Sequence, residues 1–183
     1  MNGGYSILIN PHMKALGRPG LAGYRGQSYA VDWVKVDGWG RRASGVFPDA
    51  LEDYFIFGEP VYAPCSGAVK RIETALPDHR PGGPDDEPPA GNFVLLECGG
   101  AQVLLAHLMA GSVAVDPGQA VQAGQPLGRV GNSGRSIEPH LHVHAQAPSA
   151  AGSFDTGPLP VSVDGQIPVR GSRLRLPRAV NTR

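Results

Sequence analysis

The stretch that most constrains this chain is residues 128–146, GRVGNSGRSIEPHLHVHAQ. His140, His142 and His144 alternate there with Leu141 and Val143. Alternate residues of an extended chain face the same side, so a strand here puts three imidazoles on one face and the two apolar side chains on the other. Residues i and i+2 lie roughly 6–7 Å apart on a strand. At that spacing two imidazoles can converge on one metal ion, with metal–nitrogen bonds of about 2.0–2.1 Å. The Gly-Asn-Ser-Gly sequence before the strand permits positive φ and a tight entry. Pro139 suits a strand's first position, where no ladder donor is needed. The competing reading is a strand whose histidines are simply solvated.

The rest of the chain supports a β-rich architecture. Gly 26 and Pro 18 among 183 residues leave few segments that could sustain a long helix and mark turns throughout. The expectation is one all-β or mostly-β domain. The formal net charge is zero, so neither a polyanionic nor a polycationic partner is indicated. Five arginines (170, 173, 175, 178 and 183) crowd the end of the chain without aromatic interleaving. They read as a solvated tail and not as a nucleic-acid site. No apolar run reaches membrane-spanning length. The opening MNGGYSILINPHMK lacks a basic segment followed by a long apolar run, so no signal peptide is expected in it. Cys65 and Cys98 define no disulfide framework; one bridge is allowed, but two buried thiols are the expectation.

In chain order, residues 5–9 (YSILI) read as a short strand, and residues 10–26 as a Gly- and Pro-rich loop carrying His12. Residues 27–36, QSYAVDWVKV, read as a strand. On it Ser28 and Asp32 share a face, and a carboxylate in such an apolar strand is costly unless paired or metal-bound. Residues 59–74 read as two strands around Ser66-Gly67. Residues 78–91, DHRPGGPDDEPPAG, read as a flexible surface loop with a solvated His79. Residues 92–97 and 102–107 form a hairpin pattern whose second arm ends in His107. Residues 113–130 suggest short strands between glycine turns. Residues 147–156 read as loop, with one or two short strands at 167–169 and 173–176.

Taken together, these phrases resemble the lysostaphin-type zinc metallopeptidases, which cleave peptides of bacterial cell walls. The resemblance rests on Y-A-V-D at residues 29–32, P-x-x-G-x-V at 64–69, G-N-F-V-L at 91–95 and A-H-L at 106–108. It continues through V-x-x-G-Q-x-V-x-x-G-Q-x-L-G at 115–128 and G-N-S-G-x-S-x-x-P-H-L-H at 131–142. Biotinyl and lipoyl carriers share the glycine-glutamine phrase but lack the histidines. Cupins also carry H-x-H, but no Glu or later His follows His144 here.

The resemblance implies a small antiparallel β-sheet groove, with zinc held by a histidine, an aspartate and the second histidine of H-x-H. Carried over, Asp32 and His142 are metal ligands, and His107 and His140 act beside the metal-bound water. One position departs: the family's first ligand sits four residues before the aspartate, where this chain has Ser28. His12 and His144 are the remaining candidates for the third ligand. The implied function is a zinc-dependent endopeptidase of peptidoglycan stems or cross-bridges. The alternative is a catalytically inactive module of the same fold that binds wall peptide or regulates another wall hydrolase. The implied location is the cell envelope or outside the cell. The expected organisation is an N-terminal strand and loop at 1–26, a peptidase-like β domain at 27–164 and an extension at 165–183.

Overall fold

The computed structural model describes His12 and residues 19–83, 86–149 and 153–174. The strand expected at 5–9 and the end of the one expected at 173–176 lie outside the described residues. Nine strands form among the described ones: β1 Val31–Trp33, β2 Pro60–Tyr62, β3 Gly67–Glu73, β4 Asn92–Cys98, β5 Ala101–Leu108, β6 Ala120–Val121, β7 Pro126–Arg129, β8 Leu141–Gln146 and β9 Pro158–Leu159. The helical turns among these residues are 3-10 segments, Pro19–Tyr29 and Leu51–Asp53. The expected all-β, antiparallel architecture is the one the chain adopts.

The main sheet runs β1-β8-β5-β4-β3-β6, with β9 also on β8, while β2 and β7 pair separately. Every pairing is antiparallel. Period-two alternation in β4 and β5 divides the sheet into two faces. Val94, Leu96 and Leu105 point to one face and pack with Val61, Val115, Leu127 and Val130 from the strands and loops that cover it. Phe93, Leu95, Leu104 and Ala106 point to the other, where Ala90 and Phe154 lie against them. Gln102, Leu104 and Ala106 are register partners of Gln146, His144 and His142, so this second face continues into the histidine strand.

Four expectations are corrected. The strand expected over residues 27–36 is only Val31–Trp33, because the chain enters it from a 3-10 segment. There Ala30 N donates to Gln27 O at 2.8 Å and Ser28 Oγ donates to Arg25 O at 2.7 Å. Ser28 therefore shares no strand face with Asp32. Cys65 and Cys98 are joined as a disulfide, not left as thiols: the β3–β4 pairing brings their Cα atoms to 6.1 Å. Downstream, β9 adds to β8 at Pro158–Leu159, while residues 167–169 form no strand and only an isolated Val163–Gln166 bridge closes nearby. Finally, the loop at 78–91 is anchored: Asp78 accepts hydrogen bonds from Asn132 N at 2.6 Å and Ala110 N at 2.9 Å. His79 lies 3.7 Å from Glu87 and its side chain is only 20% exposed, so it is not a solvated group.

Candidate metal and catalytic site

The site is built where β1, β8 and the end of β5 meet. Asp32 and His142 are cross-strand register partners, and His142 Nδ1 lies 3.0 Å from Asp32 Oδ1. His12 approaches from outside the sheet, with Nε2 at 3.5 Å from Asp32 Oδ2 and its ring edge-on to that of His142. His12, Asp32 and His142 each offer a ligand atom within 4.8 Å of the others; so do His107, His140 and His142. The two groups share His142. Two imidazoles and a carboxylate converging so tightly are a donor set of the kind zinc takes. This chain's side chains therefore fit such an ion.

His107 reaches the site through a strained backbone. It has φ of +60°, in the left-handed region that non-glycine residues rarely enter. The β4–β5 register slips at Asn92/Phe93, opposite this end of β5. Its N–H donates to Ala90 O at 3.0 Å and its carbonyl accepts from Gly131 N at 2.9 Å, which hold that conformation. The Gly-Asn-Ser-Gly turn has a second duty: Ser133 O lies 2.9 Å from His107 Nδ1. A carbonyl only accepts, so His107 carries its proton on Nδ1 and presents a bare Nε2. The turn itself packs against Gly91. Gly134 (φ +68°) and Gly91 (φ +59°) would each push a Cβ into backbone on the opposite side, so both positions require glycine.

His140 is oriented the same way. Its Nδ1 donates to Glu138 O at 2.8 Å, and its Nε2 lies 3.7 Å from Asp32 Oδ1. Arg42 pairs with the Glu138 carboxylate and ties this turn to the 37–53 excursion. The rings of His107 and His140 are 4.6 Å apart between centroids. His144 sits elsewhere: its Nδ1 is 3.0 Å from His142 Nε2, on the side of that ring away from Asp32. It belongs to neither metal-capable group.

Burial and charge act in opposite directions here. Burial would push the Asp32 carboxyl up, but the hydrogen bond with His142 and the positive potentials of His12, His142 and His140 outweigh it and hold Asp32 well below the usual range. Burial lowers His12 to about 4, only partly offset by Asp32. Burial also holds His107 and His144 well below the ordinary imidazole value, with neighbouring histidines adding to it. These three imidazoles are neutral at physiological pH, the form that accepts a proton or binds a metal.

The site opens into a cleft of about 630 Å³ floored by His12, His107, His140, His142 and His144. Its walls contain residues that carry no sequence signal of their own: residues 88–91 of the anchored loop, Phe154 and Arg71. Arg71 lies over the rings of Phe93 and Phe154 at 5.1 and 5.7 Å. Its place on the cleft face follows from its pairing with Leu95. No helix among the described residues is long and apolar enough to cross a membrane.

The chain is 33% identical over 85 residues to the peptidoglycan DD-endopeptidase ShyA of Vibrio cholerae, a match covering 46% of this chain and 17% of that protein. Among solved structures it is similar to the antimicrobial peptidase lysostaphin of Staphylococcus simulans, at 27% identity and a TM-score of 0.41 over 55% of this chain and 36% of that one. It is also similar to a zinc-containing peptidase of Vibrio cholerae, at 25% identity and a TM-score of 0.40, over 69% and 40% of the two chains. The chain thus spans well under half the length of each of these relatives. The model of peptidase family M23 matches residues 53–152, more than half of the sequence, and that span holds His107, His140, His142 and His144. The chain belongs to peptidase family M23.

Proposed function

We propose that this protein is a zinc-dependent endopeptidase that hydrolyses peptide bonds in peptidoglycan stems or cross-bridges. His12, Asp32 and His142 would hold the metal, and His107 and His140 would move protons beside it. The observation that carries this reading is the pair of overlapping donor groups: His12, Asp32 and His142 form one, and His107 and His140 join the shared His142 in the other. His12 answers the absence of a histidine at position 28, and His144, turned behind His142, is not needed as a ligand.

Zinc bound in such a site supplies a Lewis acid and a water acidified to near neutrality. The chain's own groups do the rest. The Ser133 and Glu138 carbonyls hold protons on Nδ1 of His107 and His140, so each ring aims a basic Nε2 at the cleft. Either Nε2 can take a proton from an attacking water and return it to the departing amine. As imidazolium, either can also steady the charge that develops on the carbonyl oxygen. Burial keeps His107 neutral and ready to accept. The cleft leaves an extended peptide room to lie across the histidines.

A location in the cell envelope or outside the cell follows from that substrate, and the Cys65–Cys98 disulfide suits an oxidising compartment. The test is zinc content of the purified protein, followed by digestion of isolated peptidoglycan and mass analysis of released peptides. About one equivalent of zinc and defined peptide products are expected. Zinc-loaded protein that sediments with walls but releases nothing would instead establish a binding module.

A further inference from the structure

Behind His142 the structure continues as a buried polar row. His142 Nε2 faces His144 Nδ1 at 3.0 Å, and His144 Nε2 faces Gln146 Oε1 at 3.3 Å. Gln146 Nε2 in turn donates to Ser153 O at 2.7 Å and to Gln102 Oε1 at 3.2 Å, and Gln102 Nε2 donates to Ser149 O at 2.9 Å. All four side chains are at least 95% buried. The two backbone carbonyls at the end of the row can only accept. They therefore fix both amides: each turns its nitrogen outward to a carbonyl, and Gln146 must present its oxygen to His144.

That direction allows a proton count. Asp32–His142, His142–His144 and His144–Gln146 are three contacts in line, each needing one proton. The Asp32 carboxylate and Gln146 Oε1 accept only, so the N–H groups along the row come from the rings of His142 and His144. When each ring carries one N–H, two lone pairs face each other somewhere in the row. Such a mismatch is costly in a buried setting. A cation between Asp32 and His142 Nδ1 removes it completely. Both histidines then carry their protons on Nε2, His142 donates to His144, and His144 donates to Gln146.

We propose that His144 and Gln146, set by Gln102 and the Ser149 and Ser153 carbonyls, are positioning residues. They hold His142 as the Nε2–H tautomer and so aim its Nδ1 lone pair at a metal beside Asp32. The inference rests on the metal-site part of the proposed function, but not on hydrolysis. Outer partners of this kind fix ring orientation and raise ligand basicity, and losing one typically weakens metal binding about 10–100-fold.

The test uses the full chain and zinc alone. Zinc affinity is measured by chelator competition for wild type, His144→Phe and His144→Gln. Phe fills the space without accepting a hydrogen bond, and Gln restores an acceptor for His142 Nε2–H. Phe should bind zinc about 10–100-fold more weakly and Gln should recover most of that loss. Because Phe could also disturb folding, a second measurement uses wild type only. Long-range ¹H–¹⁵N spectra of the zinc-loaded protein should show His144 protonated on Nε2 and bare on Nδ1. Zinc coordination by His142 does not by itself dictate that tautomer of His144. A His144 protonated on Nδ1, or equal affinities for Phe, Gln and wild type, would overturn the proposal. Zinc bound without peptide release would remove the endopeptidase reading and leave this one standing. Peptide release with an unchanged His144→Phe affinity would do the reverse.

Discussion

Leu104 and Leu105 are neighbours in β5, each 2% exposed, and they look into two different worlds. Leu105 faces the apolar core with Val94, Leu96 and Leu127. Leu104 faces the cleft side, where its register partner is His144 and the row ends in Gln102 and Gln146. The two faces exclude water to a similar degree but on different terms. On the core face, burial itself stabilises, at about 25 cal/mol per Å² of apolar surface. On the cleft face, burial of imidazole, amide and carboxylate groups opposes folding unless each group finds a partner. Hydrogen bonds linking Asp32, His142, His144, Gln146 and Gln102 meet much of that demand. The core face thus determines whether the domain folds, and the cleft face determines what the fold can bind.

The sharpest break in this comparison is His142→Ala. It removes the residue shared by both metal-capable groups and the register partner of Asp32. Zinc binding should be lost, as read by metal analysis after dialysis, while the antiparallel fold persists by circular dichroism. Unchanged zinc affinity would mean that the donor set is misassigned.

His140→Ala should separate chemistry from metal retention. His140 is held by Glu138 O and stands outside the His12–Asp32–His142 group. Bound zinc should remain at one equivalent, while turnover on peptidoglycan falls about 10²–10⁴-fold, as for a positioned acid–base group. Loss of zinc together with activity would make His140 a ligand.

The core face gives the opposite pattern. Leu105→Ala should lower unfolding stability by about 2–5 kcal/mol, the range for a buried leucine replaced by alanine. At a temperature where the variant is folded, zinc stoichiometry should match wild type. A drop in zinc content there would show that the faces are coupled and not separable.

Metal-free protein should also report the difference through pH. His12 is lowered to about 4 by burial, and His107 and His144 are held well below their ordinary value. In the unfolded chain these imidazoles take up protons below about 6.5. Between that value and the folded ones the unfolded state binds more protons, so stability falls as pH drops from about 6.5 toward 4. It is fully present above the unfolded value. Denaturant unfolding at a series of pH values, with chelator present, should show that fall. A flat profile would mean that these rings are not buried and neutral in the folded protein.

Much of this was legible in the sequence. Alternation in residues 92–107 and 141–146 marked the central strands, and the glycine turns marked the hairpins, because side-chain period and turn chemistry are local signals. Asp32, His107, His140 and His142 each stood out as polar groups in or beside apolar strands. What was not legible depends on contacts distant in sequence. Gln102 and Gln146 are 44 positions apart and look like ordinary strand residues, yet they end the row behind His142. Phe154 and Arg71 meet only because the sheet face brings them together. His12 has no periodicity to announce it; it sits in a Gly- and Pro-rich stretch and is found only through its approach to Asp32.

Ser28 is where pattern and structure part, and it carries the smallest expected effect on the site. By alignment with the family's H-x-x-x-D spacing, Ser28→His would be expected to supply a missing ligand. That expectation requires position 28 to lie on the same strand as Asp32. Instead residue 28 belongs to the 3-10 segment that ends at Tyr29, and β1 begins only at Val31. Ser28 is fully buried, with its Oγ bonded to Arg25 O. An imidazole there would have to displace packed neighbours, and overpacking of this kind costs about 1–3 kcal/mol. The variant should therefore be less stable than wild type and bind zinc no more tightly. Tighter zinc binding by Ser28→His would show that the chain can extend β1 backward to position 28. It would also mean that His12 is not the histidine that completes the site.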